Sequence, residues 1–291
     1  MTPWKTTLLP VNWQSMCYTY KRNIERGVSR MKKMILMAGP CVIESQDVLE
    51  RTAEFMAHLT DKMDIEYYFK ASWDKANRTA LGKYRGPGLE KGIEMLRRVK
   101  ERYGVKIITD FHEPHQASKV AEVADIIQIP AYLSRQTDMF CAAAATGLPV
   151  QIKKAQFMGP NDILAAARKL KDYTKENVYL CERGTFFGYN QLVVDMAGLA
   201  KMKTYGYPVI FDATHSVQLP GTGENAGTLG ANEYVRPLAL AAVATGCDGL
   251  FMEIHPDPAS ALCDATCMLN FEQTEELLKK ACEIYRLIRD N

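Results

Sequence analysis

The sequence predicts a single-domain (β/α)8 TIM barrel, and three observations carry that expectation. From residue 34 onward, eight short apolar, β-branched runs alternate with longer helix-like stretches. The alternation fills 34–291, close to the roughly 250 residues such a barrel takes. Polar and charged residues gather just after each run, where barrel enzymes carry their sites. The competing arrangement is an open doubly wound sheet, but no Gly-x-Gly-x-x-Gly follows an early run.

Residues 1–33 precede the alternation. They hold Trp4, Trp13 and Cys17 without period, and their short apolar stretch has no small-residue cleavage site after it. They are expected to form a poorly ordered N-terminal extension, with Met31 and Met34 as alternative starts.

The first strand, Met34–Ala38, runs into Gly39-Pro40-Cys41 and Glu44-Ser45, and Ser45 suits the N-cap of a helix over 46–62. The second, Ile65–Lys70, enters Ser72-Trp73-Asp74-Lys75-Ala76-Asn77-Arg78-Thr79 before a helix over 89–102. The third, Val105–Asp110, gives His112-Glu113 and a helix over 115–123. The fourth, Ile126–Ile129, carries Gln128 and leads to Pro130-Ala131 and Arg135-Gln136. The fifth, Pro149–Lys153, gives Lys154-Ala155-Gln156, and a helix over 160–172 opens on Pro160 with Asp162 in its first turn. The sixth, Asn177–Cys181, gives Glu182-Arg183-Gly184 and a helix over 191–204. The seventh, Pro208–Asp212, gives Ala213-Thr214-His215 and then a Gly-rich stretch, 220–230. That stretch reads as a mobile lid, or as a surface loop without function; no Gly-Lys-Ser/Thr makes it a P-loop. After a helix over 233–246, the eighth strand, Gly249–Glu253, gives His255 and Asp257, and 272–289 closes the chain as an amphipathic helix.

Composition narrows the function by exclusion. A net charge of +2 makes no case for nucleic acid or an anionic membrane, and no apolar run reaches the roughly 20 residues that span a bilayer. Eight cysteines without a Cys-x-x-Cys pair, beside 14 methionines, suit a reducing cytoplasm. Lys70, Lys75, Arg78, Arg135, Lys153 and Arg183 would then converge at one mouth. Either they pair with Asp74, Asp110, Glu182 and Asp212, or they hold a ligand with several negative charges, such as two phosphates and a carboxylate. Cys41, His215 and Glu253 follow the first, seventh and eighth strands, which are neighbours once the barrel closes, and Asp264 in the last loop would complete a set for a divalent metal. A buried cysteine is also an ordinary packing residue, and His255 competes for the imidazole position.

The loops resemble those of the 3-deoxy-D-manno-octulosonate 8-phosphate synthases over residues 34 to about 270. The motifs are Ala38-Gly-Pro-Cys-Val-Ile-Glu-Ser45, Phe69-Lys-Ala-Ser-Trp-Asp-Lys-Ala-Asn-Arg78, Tyr84-Arg-Gly-Pro-Gly-Leu89, Thr109-Asp-Phe-His-Glu-Pro114, Gln128-Ile-Pro-Ala131, Arg135-Gln-Thr137, Lys153-Lys-Ala-Gln-Phe157, Glu182-Arg-Gly184, Phe187-Gly-Tyr189 and Asp212-Ala-Thr-His215. The resemblance implies condensation of phosphoenolpyruvate with D-arabinose 5-phosphate, with release of phosphate. It assigns Lys75, Lys153, Arg183, Lys70 and Ser72, helped by Gln128 and Ala131, to phosphoenolpyruvate, and Asn77, Arg78 and Thr79 to the sugar phosphate. Asp110 falls near the reacting centre, and Arg135 reaches a neighbouring subunit's site, which implies a homo-oligomer, usually a tetramer. The family has a metal-independent branch with Asn at the position of Cys41, so Cys41 implies the metal-dependent branch, using manganese, iron, zinc or cobalt. Cys263-Asp264-Ala265-Thr266 differs from the Cys-Asp-Gly of metal-independent members. Three readings compete with this one. The first is a 3-deoxy-D-arabino-heptulosonate 7-phosphate synthase using erythrose 4-phosphate, whose usual Lys-Pro-Arg-Thr is here Lys75-Ala-Asn-Arg-Thr79. The second is a Schiff-base aldolase with Lys153 or Lys154 as nucleophile. The third is an inactive sugar-phosphate-binding barrel.

Overall fold

The computed structural model describes residues 33–78, 80–170, 177–187, 190–219 and 229–289. The expected N-terminal extension, Thr79, the end of the 160–172 helix, Gly188-Tyr189 and most of the Gly-rich stretch lie outside the described residues.

Eight parallel strands close a barrel: β1 Ile35–Gly39, β2 Glu66–Lys70, β3 Lys106–Asp110, β4 Ile126–Ile129, β5 Val150–Lys153, β6 Val178–Glu182, β7 Val209–Asp212 and β8 Gly249–Glu253. Each pairs with its neighbours in chain order, and β8 returns to β1 with Ile35 opposite Gly249 and Gly39 opposite Glu253. Strands covered on both faces carry unbroken apolar runs, which is why these runs stand out in the sequence. A helix follows each strand: α1 Gln46–Met63, α2 Leu89–Tyr103, α3 Ala117–Val120, α4 Thr137–Ala145, α5 Pro160–Ala167, α6 Met196–Lys203, α7 Val235–Ala244 and α8 Phe271–Arg289.

Local chemistry sets several boundaries. The Ser45 hydroxyl accepts the Val48 N–H at 3.2 Å and starts α1; Asp64, at φ 56°, ends it in the left-handed region. The Asp162 carboxylate accepts the Gly159 N–H at 2.8 Å and fixes the start of α5 behind Pro160. Two stretches differ from the sequence reading. The helix α4 occupies a segment to which the sequence reading assigns no element. Gln191–Val193 is not helical but pairs antiparallel with Thr185–Phe187, because Asn190 at φ 54° reverses the chain and β-branched residues follow. The helix there begins at Met196.

Alternation along the strands sorts side chains between helices and barrel interior. Phe69, Ile127, Ile129, Ile152, Leu250 and Met252 share one apolar cluster with Leu49, Met56, Ile93 and Leu277 of the helices. The residues in step between or beyond them (Lys70, Gln128, Lys153, Glu253) therefore turn to the inside at the strands' C-terminal ends. The opposite end is fastened by Asp248, which accepts the Val209 N–H at 2.7 Å and pairs with Lys203 and, at 2.7 Å, Arg289 of α8. The Tyr285 hydroxyl of α8 also reaches the Lys33 carbonyl at 3.3 Å. Among the described residues no helix is long and apolar enough to cross a membrane.

Candidate active site and metal centre

Gly39 shapes the mouth. A Cβ there would lie 2.1 Å from the Lys70 carbonyl oxygen, so only glycine lets the ends of β1 and β2 close together. The chain then turns at Pro40 over the mouth, and the Cys41 carbonyl accepts Lys70 Nζ at 3.0 Å.

A cavity of about 630 Å³ opens at the C-terminal ends of the strands. Lys70, Lys75, Arg78, Lys83, Lys153 and Arg183 line it, together with Asn77, Asp110, Gln128, Ala131, His215 and Asp264. The cations are compensated unequally. Lys70 and Lys75 share Glu253 Oε1 at 2.7 and 3.5 Å. Lys153 is ion-paired with Asp212, and its Nζ lies 3.6 Å from the centre of the Phe251 ring. Arg78 donates to the Tyr84 and Leu262 carbonyls at 3.0 and 2.8 Å. Arg183 donates to the neutral Gln218 side chain, and its buried Nη1 has no hydrogen-bond partner among the described residues. Of the expected acidic partners, Asp74 binds Arg85 and Glu182 binds Lys154 instead. Among the described residues, Arg78 and Arg183 thus form no ion pair with a carboxylate, and an anionic ligand would satisfy their charge.

The acids are held ionised. Burial alone would raise Glu253, but His215, Lys70, Lys75 and Lys153 around it hold its carboxyl well below the usual range. Asp110 is likewise opposed by burial and brought well below that range by His112, Lys75 and Lys70. Lys75 moves in the complementary direction: burial lowers it, yet Cys41, Glu253 and Cys263 hold it well above its ordinary value.

The four expected metal ligands meet at one side of this cavity. Tetrahedral ligands bonded at about 2.0–2.3 Å stand roughly 3.3–3.8 Å apart. His215 Nε2 lies 3.5 Å from Glu253 Oε1 and 3.8 Å from Asp264 Oδ2, and Cys41 Sγ lies 3.6 Å from Asp264 Oδ2. Asp212 takes His215 Nδ1 at 2.9 Å, which turns Nε2 toward Glu253 and Asp264. Glu253 Oε2 is buried without a partner. A thiol, an imidazole and two carboxylates at these separations fit a divalent cation. They form two overlapping groups, His215–Glu253–Asp264 and Cys41–Cys263–Asp264, with Asp264 common to both. Asp264 sits at φ 47°, a conformation costing about 1 kcal/mol or more for a non-glycine residue and usual where function fixes it.

The remaining expected residues fall outside this wall. Ser72 is buried behind the cavity and donates to Asp110 Oδ2 at 3.0 Å. Arg135 is exposed and does not line its own chain's cavity. His255 faces away, its ring engaged with the Asp257 backbone and 3.7 Å from Glu44. Lys154 also leaves the cavity: its buried ammonium donates to the Met158 carbonyl and Thr185 hydroxyl at 2.9 Å each. His112 and Gln156, placed at strand ends by the sequence, line the cavity too, as do Lys83 and Gln218, which the sequence reading does not single out. Gln218 bridges Arg183 and, at 3.2 Å, Asp264; its place three residues beyond His215 was the available signal.

The chain is similar to known proteins along nearly its whole length. The DAHP synthetase I family matches residues 18–289. A 2-dehydro-3-deoxyphosphooctonate aldolase of Fusobacterium nucleatum is 50% identical over 258 residues, 89% of this chain and 92% of that protein. Proteins of the same name from Campylobacter jejuni and Desulfotalea psychrophila are each 49% identical; they cover 90% and 88% of this chain and 100% and 91% of their own lengths. That name denotes the 3-deoxy-D-manno-octulosonate 8-phosphate synthases, whose motifs the strand-end loops resemble. With a match along nearly its whole length and half its residues shared, the chain belongs to the DAHP synthetase I family and, within it, to the 2-dehydro-3-deoxyphosphooctonate aldolases.

Proposed function

We propose that this chain condenses phosphoenolpyruvate with D-arabinose 5-phosphate and water, giving 3-deoxy-D-manno-octulosonate 8-phosphate and phosphate. The observation that carries the reading is the convergence of Lys75, Arg78, Lys153 and Arg183 on one cavity, two of them without an ion-paired carboxylate among the described residues. The relatives named above carry the choice of the octulosonate product over the heptulosonate one that the broader family's name suggests.

In this reaction C3 of phosphoenolpyruvate bonds to the aldehyde carbon, water adds its oxygen at C2, and the bond from C2 to the phosphate oxygen breaks. Lys153 and Arg183, buried and fixed, suit the carboxylate and the phosphate whose charge grows as it leaves. Arg78 and Asn77 at the mouth, with Thr79, suit the sugar phosphate. Asp110 fits proton handling poorly, because a carboxyl held below the usual range by His112, Lys75 and Lys70 takes up a proton only weakly. Its role in this reading is a fixed negative charge that steers Lys75 and accepts from Ser72.

Cys41, His215, Glu253 and Asp264 would hold a divalent cation of manganese, iron, zinc or cobalt. When bound it would supply a Lewis acid for the aldehyde oxygen or a lowered pKa for water. Arg135, exposed and outside its own cavity, fits a role in a neighbouring subunit's site and hence a homo-oligomer, in this reading a tetramer.

Phosphate release from phosphoenolpyruvate, measured with arabinose 5-phosphate or erythrose 4-phosphate and with or without chelator, tests both parts. Turnover with the five-carbon sugar that chelation stops is expected. Preference for erythrose 4-phosphate overturns the substrate, and full turnover in chelator overturns the metal.

A further inference from the structure

Cys263 stands closer to the metal group than a packing residue needs to. Its Sγ is 2.7 Å from Cys41 Sγ, both residues are nearly fully buried, and with Asp264 their ligand atoms lie within 4.8 Å of one another. Consecutive side chains on extended backbone point to opposite sides. Here Asp264 at φ 47° breaks that alternation, and both Cys263 and Asp264 line the cavity. The backbone conformation of the loop thus brings a second thiol to the same place as Cys41 and Asp264. Apart from Cys41, the apolar cluster around Cys263 has just Val42 and Met268 as its other buried members, separate from the main core.

We infer that Cys263 is itself a ligand, a fifth donor beside Cys41, His215, Glu253 and Asp264, which makes the centre a two-thiolate site for a thiophilic cation. The inference rests on the metal reading above and narrows it: soft donors favour Zn²⁺, Fe²⁺ or Co²⁺ over Mn²⁺ and Mg²⁺. Two sulfurs bonded to one ion at about 2.3 Å stand about 3.8 Å apart. The pair therefore opens by roughly 1 Å on loading, within reach of a small rotation of the Cys263 side chain. The competing role is a thiol that merely accepts the Cys41 S–H and stays off the ion.

The test is cobalt substitution of the full chain, with metal content measured and the thiolate-to-cobalt charge-transfer absorption compared among wild type, Cys41→Ser and Cys263→Ser. Two ligating sulfurs predict that each variant loses about half the band. If Cys263→Ser keeps the whole band and Cys41→Ser loses all of it, Cys263 is no ligand and the metal reading survives. Wild-type protein that takes up no stoichiometric cobalt overturns both. Should a variant fail to fold, X-ray absorption of zinc-loaded wild type decides: two sulfurs in the first shell support the inference, and one overturns it.

Discussion

Asp212→Asn removes one buried negative charge and keeps the side chain's shape. The carboxylate is inaccessible to solvent, and the Lys153 ammonium, the His215 N–H at 3.0 Å and His215 Nδ1 at 2.9 Å all converge on it. Removing one partner of a buried ion pair costs about 3–5 kcal/mol, because the other charge stays behind uncompensated. The amide oxygen retains a hydrogen bond of about 1 kcal/mol, and the Phe251 ring 3.6 Å from Lys153 Nζ is present in both proteins. A net loss of about 3 kcal/mol remains, equivalent to a melting temperature lowered by about 6–12 °C for a domain of this size. Metal affinity should fall about 10–100-fold as well, since His215 loses its orienting carboxylate. Burial would raise the Asp212 carboxyl, but His215 and Lys153 hold it well below the usual range. Its stabilising contribution is therefore complete above the unfolded value of about 3.9 and is lost only as pH falls through the lower folded value. The gap between wild type and variant should accordingly be flat from about pH 6 to pH 8 and close in acid. Calorimetry over that range and a metal titration are the assays. A variant that melts with wild type and binds metal equally well would refute the claim that Asp212 orients both residues.

Four further outcomes are expected. Arg183→Lys keeps the charge but loses the fork; kcat/KM for phosphoenolpyruvate should fall by about 10–100-fold, the loss of one charged hydrogen bond, and an unchanged value would remove Arg183 from the site. Cys41→Asn should weaken metal binding sharply while leaving partial turnover, read by metal titration and phosphate release; unchanged metal affinity would exclude Cys41 as a ligand. Borohydride added with substrates should leave the protein mass unchanged, because Lys153 is ion-paired and Lys154 is caged away from the cavity; a trapped adduct would restore the Schiff-base mechanism. Gly39→Ala should destabilise by about 3 kcal/mol or more, given a Cβ 2.1 Å from a backbone oxygen; a variant that melts like wild type would show that β1 and β2 can separate without cost.

The strands were legible because each is a buried parallel strand, and their expected and observed ends agree within a residue. Their C-terminal residues were legible for the same reason: Lys70, Lys153 and Glu253 are polar side chains at the end of apolar runs, where alternation turns them inward. The helix α4 has no counterpart in the sequence reading although Ala142–Ala145 is a strong helix former, because its largely apolar Met139–Ala145 run lacks the polar face that marks an amphipathic helix. The hairpin at 185–193 was hidden by a helical reading of Gln191-Leu192-Val193, whose turn depends on one left-handed asparagine. The site was legible as a set of residue types, and less so as contacts. That Lys70 and Lys75 would share Glu253, or that Gln218 would join Arg183 to Asp264, depends on loop conformations that strand periodicity does not encode.

The ring of strands has a seam where β8 meets β1, and the candidate metal centre straddles it. Cys41 hangs from one edge and Glu253 from the other, while Cys41 and Cys263 are 222 positions apart along the chain. An ion gripped from both sides would act as a rivet through that joint, at the opposite end from the clasp formed by Asp248 and Arg289. Closing so long a loop removes much of the unfolded chain's freedom, and a ligand bound only by the closed form adds stability that grows with the logarithm of its free concentration relative to its dissociation constant. Heat resistance would then serve as a gauge of how fully the protein is charged with metal, readable without any substrate.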